Sequence, residues 1–181
     1  KPRPLLGDYQ QVAKAFGWKS FLLDQGRTIS VAVSFALSLF IFVALLRSGK
    51  NRVLLWLFLL TISWSLRGHF FLWYDMPMHG FTRGLYYAVV TLFLSACWPI
   101  FIDQWTHKPI RFFKEAILAA FTVGALVIAY WLVVMQGDSA WEDATDLLDR
   151  LGLVFMAAML LRLLWHFWRS RDDRHWEAAL L

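Results

Sequence analysis

The chain has 181 residues, of which 59% are hydrophobic, 18% are aromatic and only 17% are charged. A soluble domain carries about 25% charged residues, and a core of this size cannot hide so large an apolar surplus. The composition therefore excludes an ordinary soluble domain and predicts a chain embedded in a lipid bilayer, with no nucleic-acid partner. The single cysteine, Cys97, excludes an intrachain disulfide.

Residues 1–27 precede the first long apolar run and are predicted to lie outside the cytoplasm. Within them, residues 9–23 place Lys14 and Lys19 between apolar side chains. This pattern is typical either of a short helix in the membrane interface or of an ordinary linker. The chain begins at Lys1 and ends as a further apolar run begins near residues 176–181. We expect a piece of a longer polypeptide, and the alternative is a processed or tagged complete protein.

Five apolar segments are long enough to span a membrane, which requires about 20 residues of helix. The sequence therefore predicts an all-α, polytopic membrane helix bundle over residues 28–181, because long continuous apolar runs do not show the alternation of a membrane β-barrel. The acidic stretch before the fifth segment is expected to lie at a helix N-terminus, with Asp143 or Thr145 as the cap. The predicted spans are about 28–46, 53–73, 84–102, 112–134 and 147–168.

The basic residues predict how these spans are oriented, because short cytoplasmic loops are enriched in lysine and arginine. Along the four connections and the C-terminal tail, the basic count alternates between high and low. The first and third connections and the tail are therefore predicted to be cytoplasmic, which leaves the N-terminus outside. The basic N-terminal stretch opposes this orientation unless a folded outer domain precedes it. The basic residues are Arg47, Lys50 and Arg52; Arg83; Lys108, Arg111 and Lys114; Arg150; and Arg169, Arg171 and Arg174.

Arg67 and His69 are unusual because they interrupt the apolar stretch TISWSLRGHFFLWYD at residues 61–75. A charge near the middle of a span costs about 2.5–3.5 kcal/mol on insertion scales unless it finds water or a partner. Candidate partners of Arg67 are Ser63, one turn back, and Asp75, beyond the outer end. These four residues form a candidate ligand-binding or switch site that opens outward. The alternative is an arginine that snorkels to the interface.

Other polar residues in the predicted spans do not indicate catalysis. Arg162 lies near the inner end of the fifth span and is expected to snorkel, and no acid is expected in the core of any span. His69 and His166 fall on opposite sides of the bilayer, so they cannot share a haem, and no Cys/His spacing fits a metal. We therefore expect no catalytic residue, no metal and no cofactor in this segment.

The chain resembles the membrane region of bacterial seven-transmembrane receptors with diverse intracellular signalling modules. The resemblance rests on SFALSLFIFVALLRSGKNRVLLWLFLLTISWSLRG, RGLYYAVVTLFLSACWPIFI and LLWHFWRSRDDRHWEAALL, which are patterns of hydropathy and arginine placement. It would cover spans one to five and the start of a sixth. It implies an upstream extracytoplasmic domain, a downstream output domain such as a histidine kinase or diguanylate cyclase, and a homodimer in the bacterial inner membrane.

Three functions remain open at this point. The first is a sensor or receptor module that relays an extracytoplasmic signal to a cytoplasmic output domain. The second is a membrane enzyme or a non-catalytic integral-membrane subunit of a larger complex, and the subunit stays open because apolar spans with aromatic belts carry little information about partners. The third is a transporter component, which is disfavoured because the spans lack paired broken helices and intramembrane carboxylates.

Overall fold

The computed structural model describes residue 17 and residues 25–49, 51–72, 80–106, 109–135 and 138–169, and all five extended ranges are helical. Apart from residue 17, the segment at residues 9–23 lies outside the described residues, and so do Asp75 and the start of a further span at residues 176–181. We number the helices α1 to α5 in chain order, and α4 continues into a π-helical turn, Trp131–Met135. The helices are Gly26–Ser48, Arg52–Leu72, Phe81–Trp105, Phe113–Tyr130 and Asp138–Arg169.

The predicted all-α architecture is confirmed, and the multi-pass membrane character is supported for four of the five predicted spans. Four segments are long and apolar enough to cross a membrane: Gly26–Ser48, Arg52–Phe70, Phe81–Trp105 and Phe113–Met135. The fifth predicted span, 147–168, lies within α5, and its passage through the membrane stays a prediction. The large apolar side chains exposed on α1 and α4, such as Phe40 and Leu126, suit contact with lipid.

Local sequence explains where several helices begin and end. Asn51 caps α2, because its side-chain oxygen accepts hydrogen bonds from the backbone N–H groups of Val53 and Leu54 at 3.1 and 3.3 Å. Gly49 follows α1 with a φ of 69°, a conformation that glycine adopts without strain. The prediction that Asp143 or Thr145 caps the last helix is wrong. That helix begins at Asp138, and the Thr145 hydroxyl donates within it to the Trp141 and Glu142 carbonyls.

Helix α3 is the centre of the described bundle. It packs against α2, α4 and α5, whereas α1 packs only against α2. Consecutive helices α1 to α4 run antiparallel: Phe42 contacts Phe58 between α1 and α2, and Phe93 contacts Phe121 between α3 and α4. The main core cluster lies between α3, α4 and α5. It comprises Ala88, Leu92, Ala96, Ile100, Ile117, Ile128, Leu132, Ala144, Leu148 and Phe155.

Helices α3 and α5 run parallel, side by side, over most of their length. Near their beginnings, the Trp141 ring lies where a Cβ atom on Gly84 would be, so a larger residue at Gly84 would push the helices apart. Near their ends, Asp103 contacts Arg162. These two contacts define the two ends of the bundle. We call them the Arg67 end, where α2 finishes and α3 and α5 begin, and the Asp103 end, where α3 and α5 finish.

Cys97 provides a direct test of this packing. It is fully buried in a second core cluster with Leu60 of α2 and Leu94 of α3. We expect a membrane-permeable maleimide to leave Cys97 unlabelled in the folded chain and to label it completely in SDS. Labelling can be followed by the mass increase of the intact chain. Rapid labelling in mild detergent would contradict the packing of α2 against α3, and the same chain with Cys97→Ala controls for reaction elsewhere.

Candidate functional site

The most deeply buried charges in the described residues form an ion pair between α3 and α5. Nε of Arg162 donates to Oδ1 of Asp103 at 2.7 Å, and the two residues are 4% and 0% exposed. Asp103 lies in the last turn of α3, which is one of the four candidate spans. Taking two charges out of water costs several kcal/mol per ion, and this cost is offset only when geometry and additional hydrogen bonds are favourable.

Neighbouring backbone and side-chain groups supply those additional hydrogen bonds. An Nη2 hydrogen of Arg162 is donated to the Thr106 hydroxyl, which itself donates to the Asp103 carbonyl at 2.8 Å. The backbone N–H of Ile110 donates to Asp103 Oδ1 at 3.1 Å. Asp103 therefore joins three parts of the chain, namely α3, the connection to α4, and α5. We call Asp103, Thr106, Ile110 and Arg162 the polar junction.

One atom of the polar junction remains unsatisfied. Oδ2 of Asp103 is buried and has no hydrogen-bond partner among the described residues. A carboxylate oxygen in this condition costs about 1–3 kcal/mol or more, because it has lost water without gaining a donor. The favourable and unfavourable contributions to the free energy of the ion pair are consequently similar in size. Oδ1 of Asp103 accepts both hydrogen bonds to the carboxylate, and Oδ2 is available to a new donor.

The structure corrects two expectations at this site. Arg162 does not snorkel, because its guanidinium is turned inward onto Asp103 and Thr106 rather than toward the interface. Asp103 was missed because it directly follows the predicted third span, 84–102, and was assigned to the loop. A signal was nevertheless available. The predicted topology places the end of the third span and Arg162 on the same side of the membrane, where a lone acid and a lone arginine can meet.

The sequence-predicted site lies at the opposite end of the bundle, and the structure shows only part of it. Nε of Arg67 is buried and has no hydrogen-bond partner among the described residues. The Ser63 hydroxyl donates to the Leu59 carbonyl at 2.6 Å, and Nε of Arg67 is not hydrogen-bonded to it. His69 is exposed, and its Nδ1 lies 3.2 Å from the Ser65 carbonyl oxygen. Asp75 lies outside the described residues, so its pairing with Arg67 stays a prediction.

Aromatic rings and a second arginine lie at the same end of the bundle as Arg67. The guanidinium carbon of Arg83 lies 5.0 Å from the centre of the Phe70 ring, and the Phe70 and Tyr87 rings are 4.8 Å apart. The Tyr86 hydroxyl donates to the Leu66 carbonyl at 3.0 Å, which ties α3 to α2. Cation–π contact with a ring stabilises an arginine by about 0.5–2 kcal/mol and is available to Arg83 without a carboxylate.

Metal or cofactor binding has no geometric support in the described part of the chain. Over those ranges, no three His, Cys, Asp or Glu side chains come together as a metal site would require. The expectation that this segment carries neither metal nor cofactor stays a prediction.

Comparisons with known proteins do not assign the chain to a family. No protein family, no curated protein and no solved structure matches it. The resemblance to seven-transmembrane bacterial receptors therefore stays a hypothesis, and functional interpretation depends on the geometry described above.

Proposed function

We propose that the chain is a signal-transducing module of a multi-pass membrane protein, in which the polar junction sets the position of α5 relative to α3. The observation that carries this proposal is the buried Asp103–Arg162 ion pair between two parallel helices. A purely structural contact at this position could be apolar at no loss of stability, because buried ion pairs are often neutral or unfavourable compared with apolar packing. A charged pair instead gives the helices two discrete arrangements, paired and separated.

The polar junction has the properties of an element that a signal can bias. Its energy depends strongly on geometry, so a small displacement of α5 weakens together the hydrogen bonds that Arg162 donates to Asp103 and to Thr106. Asp103 also holds the connection to α4 through the Ile110 N–H, so the same displacement alters the backbone at the membrane surface. A ligand that favours one arrangement shifts the population by its difference in affinity for the two.

The predicted orientation gives this module a direction. With the N-terminus outside the cytoplasm, the Arg67 end faces outward and the Asp103 end faces the cytoplasm. A signal received by an upstream extracytoplasmic domain or at the Arg67 end would be passed along α3 and α5 to a cytoplasmic output domain, such as a histidine kinase or diguanylate cyclase. A homodimer in a bacterial inner membrane is part of the same proposal.

Distance measurements between α5 and the α3–α4 connection test the proposal. Spin labels are placed on the exposed positions 111 and 165 of the chain with Cys97→Ala, in lipid nanodiscs. We expect one short distance in the parent chain and an additional longer population after Asp103→Asn, because the neutral amide no longer holds Arg162. Arg150→Leu, which breaks an exposed ion pair within α5, is the matched control and should leave the distance unchanged.

An unchanged distance distribution in the Asp103→Asn chain would contradict a two-position junction. A second readout concerns output in the native host, where Asp103→Asn and Arg67→Leu are both expected to change the dose dependence of the response. Unchanged output for both variants would favour a subunit that only holds a complex together.

One observation favours that second function, a non-catalytic membrane subunit. Four exposed apolar side chains on one face of α5, Leu161, Leu164, Trp165 and Trp168, line a surface groove. Their spacing of three and four residues is typical of a helix face that packs against another helix. A transporter component remains the weakest of the three hypotheses, although Asp103 removes the argument that the spans contain no carboxylate.

A further inference from the structure

We propose that Arg67 binds a phosphate group at the Arg67 end of the bundle, carried either by a membrane phospholipid or by a soluble phosphate compound. The proposal deepens the proposed function, because this phosphate would be a ligand at the outward end. Its binding test, however, does not depend on signalling. The starting observation is the Nε–H of Arg67, which is buried without an acceptor among the described residues.

The chain offers Arg67 no carboxylate on any helix that packs against α2. Helices α1 and α2 contain no Asp or Glu, and the only acid of α3 is Asp103 at the other end of the bundle. Glu115 of α4 is also near the Asp103 end, and the acids of α5 belong to a helix that does not contact α2. A buried guanidinium N–H without an acceptor is costly in a membrane, so a bound anion would relieve that cost.

A second arginine lies at the same end of the bundle. Arg83 of α3 contacts the Phe70 ring of α2, and His69 is exposed two residues after Arg67. Neither forms an ion pair with a described carboxylate. Arg67 and Arg83 thus place two positive charges at this end of α2 and α3, and a charge-assisted hydrogen bond to an anion is strong next to apolar rings.

The shape and depth of Arg67 favour phosphate. The Nε–H and one Nη–H of a guanidinium form a planar edge that binds two oxygens of a phosphate at once. Arg67 lies about 7.5 Å along the helix axis from Leu72, the last residue of α2, at the helical rise of 1.5 Å per residue. Arg67 is thus less than two helical turns from the end of α2, close to the headgroup layer, where phosphate is the abundant anion.

Binding is measured by ³¹P NMR on the purified chain in dodecyl maltoside, a detergent without phosphorus. One arm adds phosphatidylglycerol and the other adds inorganic phosphate, so that the two arms distinguish the two sources. We expect saturable broadening with at least one of them, and an affinity lowered about tenfold or more by Arg67→Leu. Arg83→Leu removes the same charge at the same end and is expected to change the affinity by less than about threefold.

Two further variants keep the result decisive. Arg67→Lys retains a charge without the planar edge and should bind more weakly than the parent chain but more tightly than Arg67→Leu. Unlabelled Cys97 shows that each variant is folded. Three results would overturn the proposal: no binding in either arm, equal weakening by Arg67→Leu and Arg83→Leu, or binding that emerges only after Asp75→Asn, which would make Asp75 the partner of Arg67.

Discussion

Asp103→Asn is expected to lower the free energy of unfolding by about 3–5 kcal/mol, the cost of removing one partner from a buried ion pair. The amide would remove the negative charge that contacts the buried guanidinium of Arg162. Replacing both residues, as in Asp103→Leu with Arg162→Leu, should restore much of the loss, because no uncompensated charge remains. The loss is measured by unfolding in SDS–maltoside mixtures with far-UV circular dichroism as the signal.

The control for this prediction lies on the same helix. Arg150 and Asp146 form an ion pair at 2.6 Å, with both side chains mostly exposed. Arg150→Leu is therefore expected to cost less than about 1 kcal/mol. An Asp103→Asn chain as stable as the Arg150→Leu chain would show that the polar junction is open to water.

Phe155→Ala is expected to destabilise the chain by about 3–5 kcal/mol, the range for truncating a fully buried phenylalanine. Phe155 of α5 is 0% exposed and belongs to the core cluster shared with α3 and α4. The loss comes from van der Waals contacts and from the cavity, both of which persist when the surrounding solvent is lipid. The same SDS–maltoside unfolding measurement reports it.

Leu153→Ala is the matched control, because Leu153 is two residues away on the same helix and is 71% exposed. We expect its effect to stay below about 1 kcal/mol. Similar losses for Phe155→Ala and Leu153→Ala would mean that α5 does not pack against α3 and α4 with this face.

The apolar runs predicted α1 to α4 well, since a continuous stretch of about 20 apolar residues has few alternatives to a helix in lipid. The first span, predicted at 28–46, is the helix Gly26–Ser48. The start of α5 was mispredicted because the helix cap was placed within the acidic residues, at Asp143 or Thr145, whereas the helix begins at Asp138. In the structure they form its first turns, supported by the ion pair of Asp146 with Arg150 and by the packing of Trp141 on Gly84. These contacts depend on which side chains and helices lie next to each other, and a hydropathy pattern does not predict that.

The candidate sites illustrate the same limit. Arg67 could be singled out from its apolar surroundings alone, because charge in a span is costly wherever it points. Ser63 was named as its partner, but in the structure the Ser63 hydroxyl donates to the Leu59 carbonyl four residues earlier and Nε of Arg67 is not hydrogen-bonded to it. Pairing Asp103 with Arg162 requires knowing that α3 and α5 are neighbours and that both residues share one level, which is tertiary information.

Pro99 lies inside α3, one turn before Asp103. Proline has no N–H to donate to the carbonyl four residues earlier, so α3 lacks the helical hydrogen bond from residue 99 to the Ser95 carbonyl. Because no further hydrogen bond has to break there, we expect α3 to bend more easily at Pro99 than elsewhere along the helix. Most of the apolar core residues of α3 come before Pro99, and the Asp103 carboxylate comes after it. A displacement of the last turn of α3 would therefore act on the buried Ile100 and Ile102 side chains and on the contact of Asp103 with Arg162.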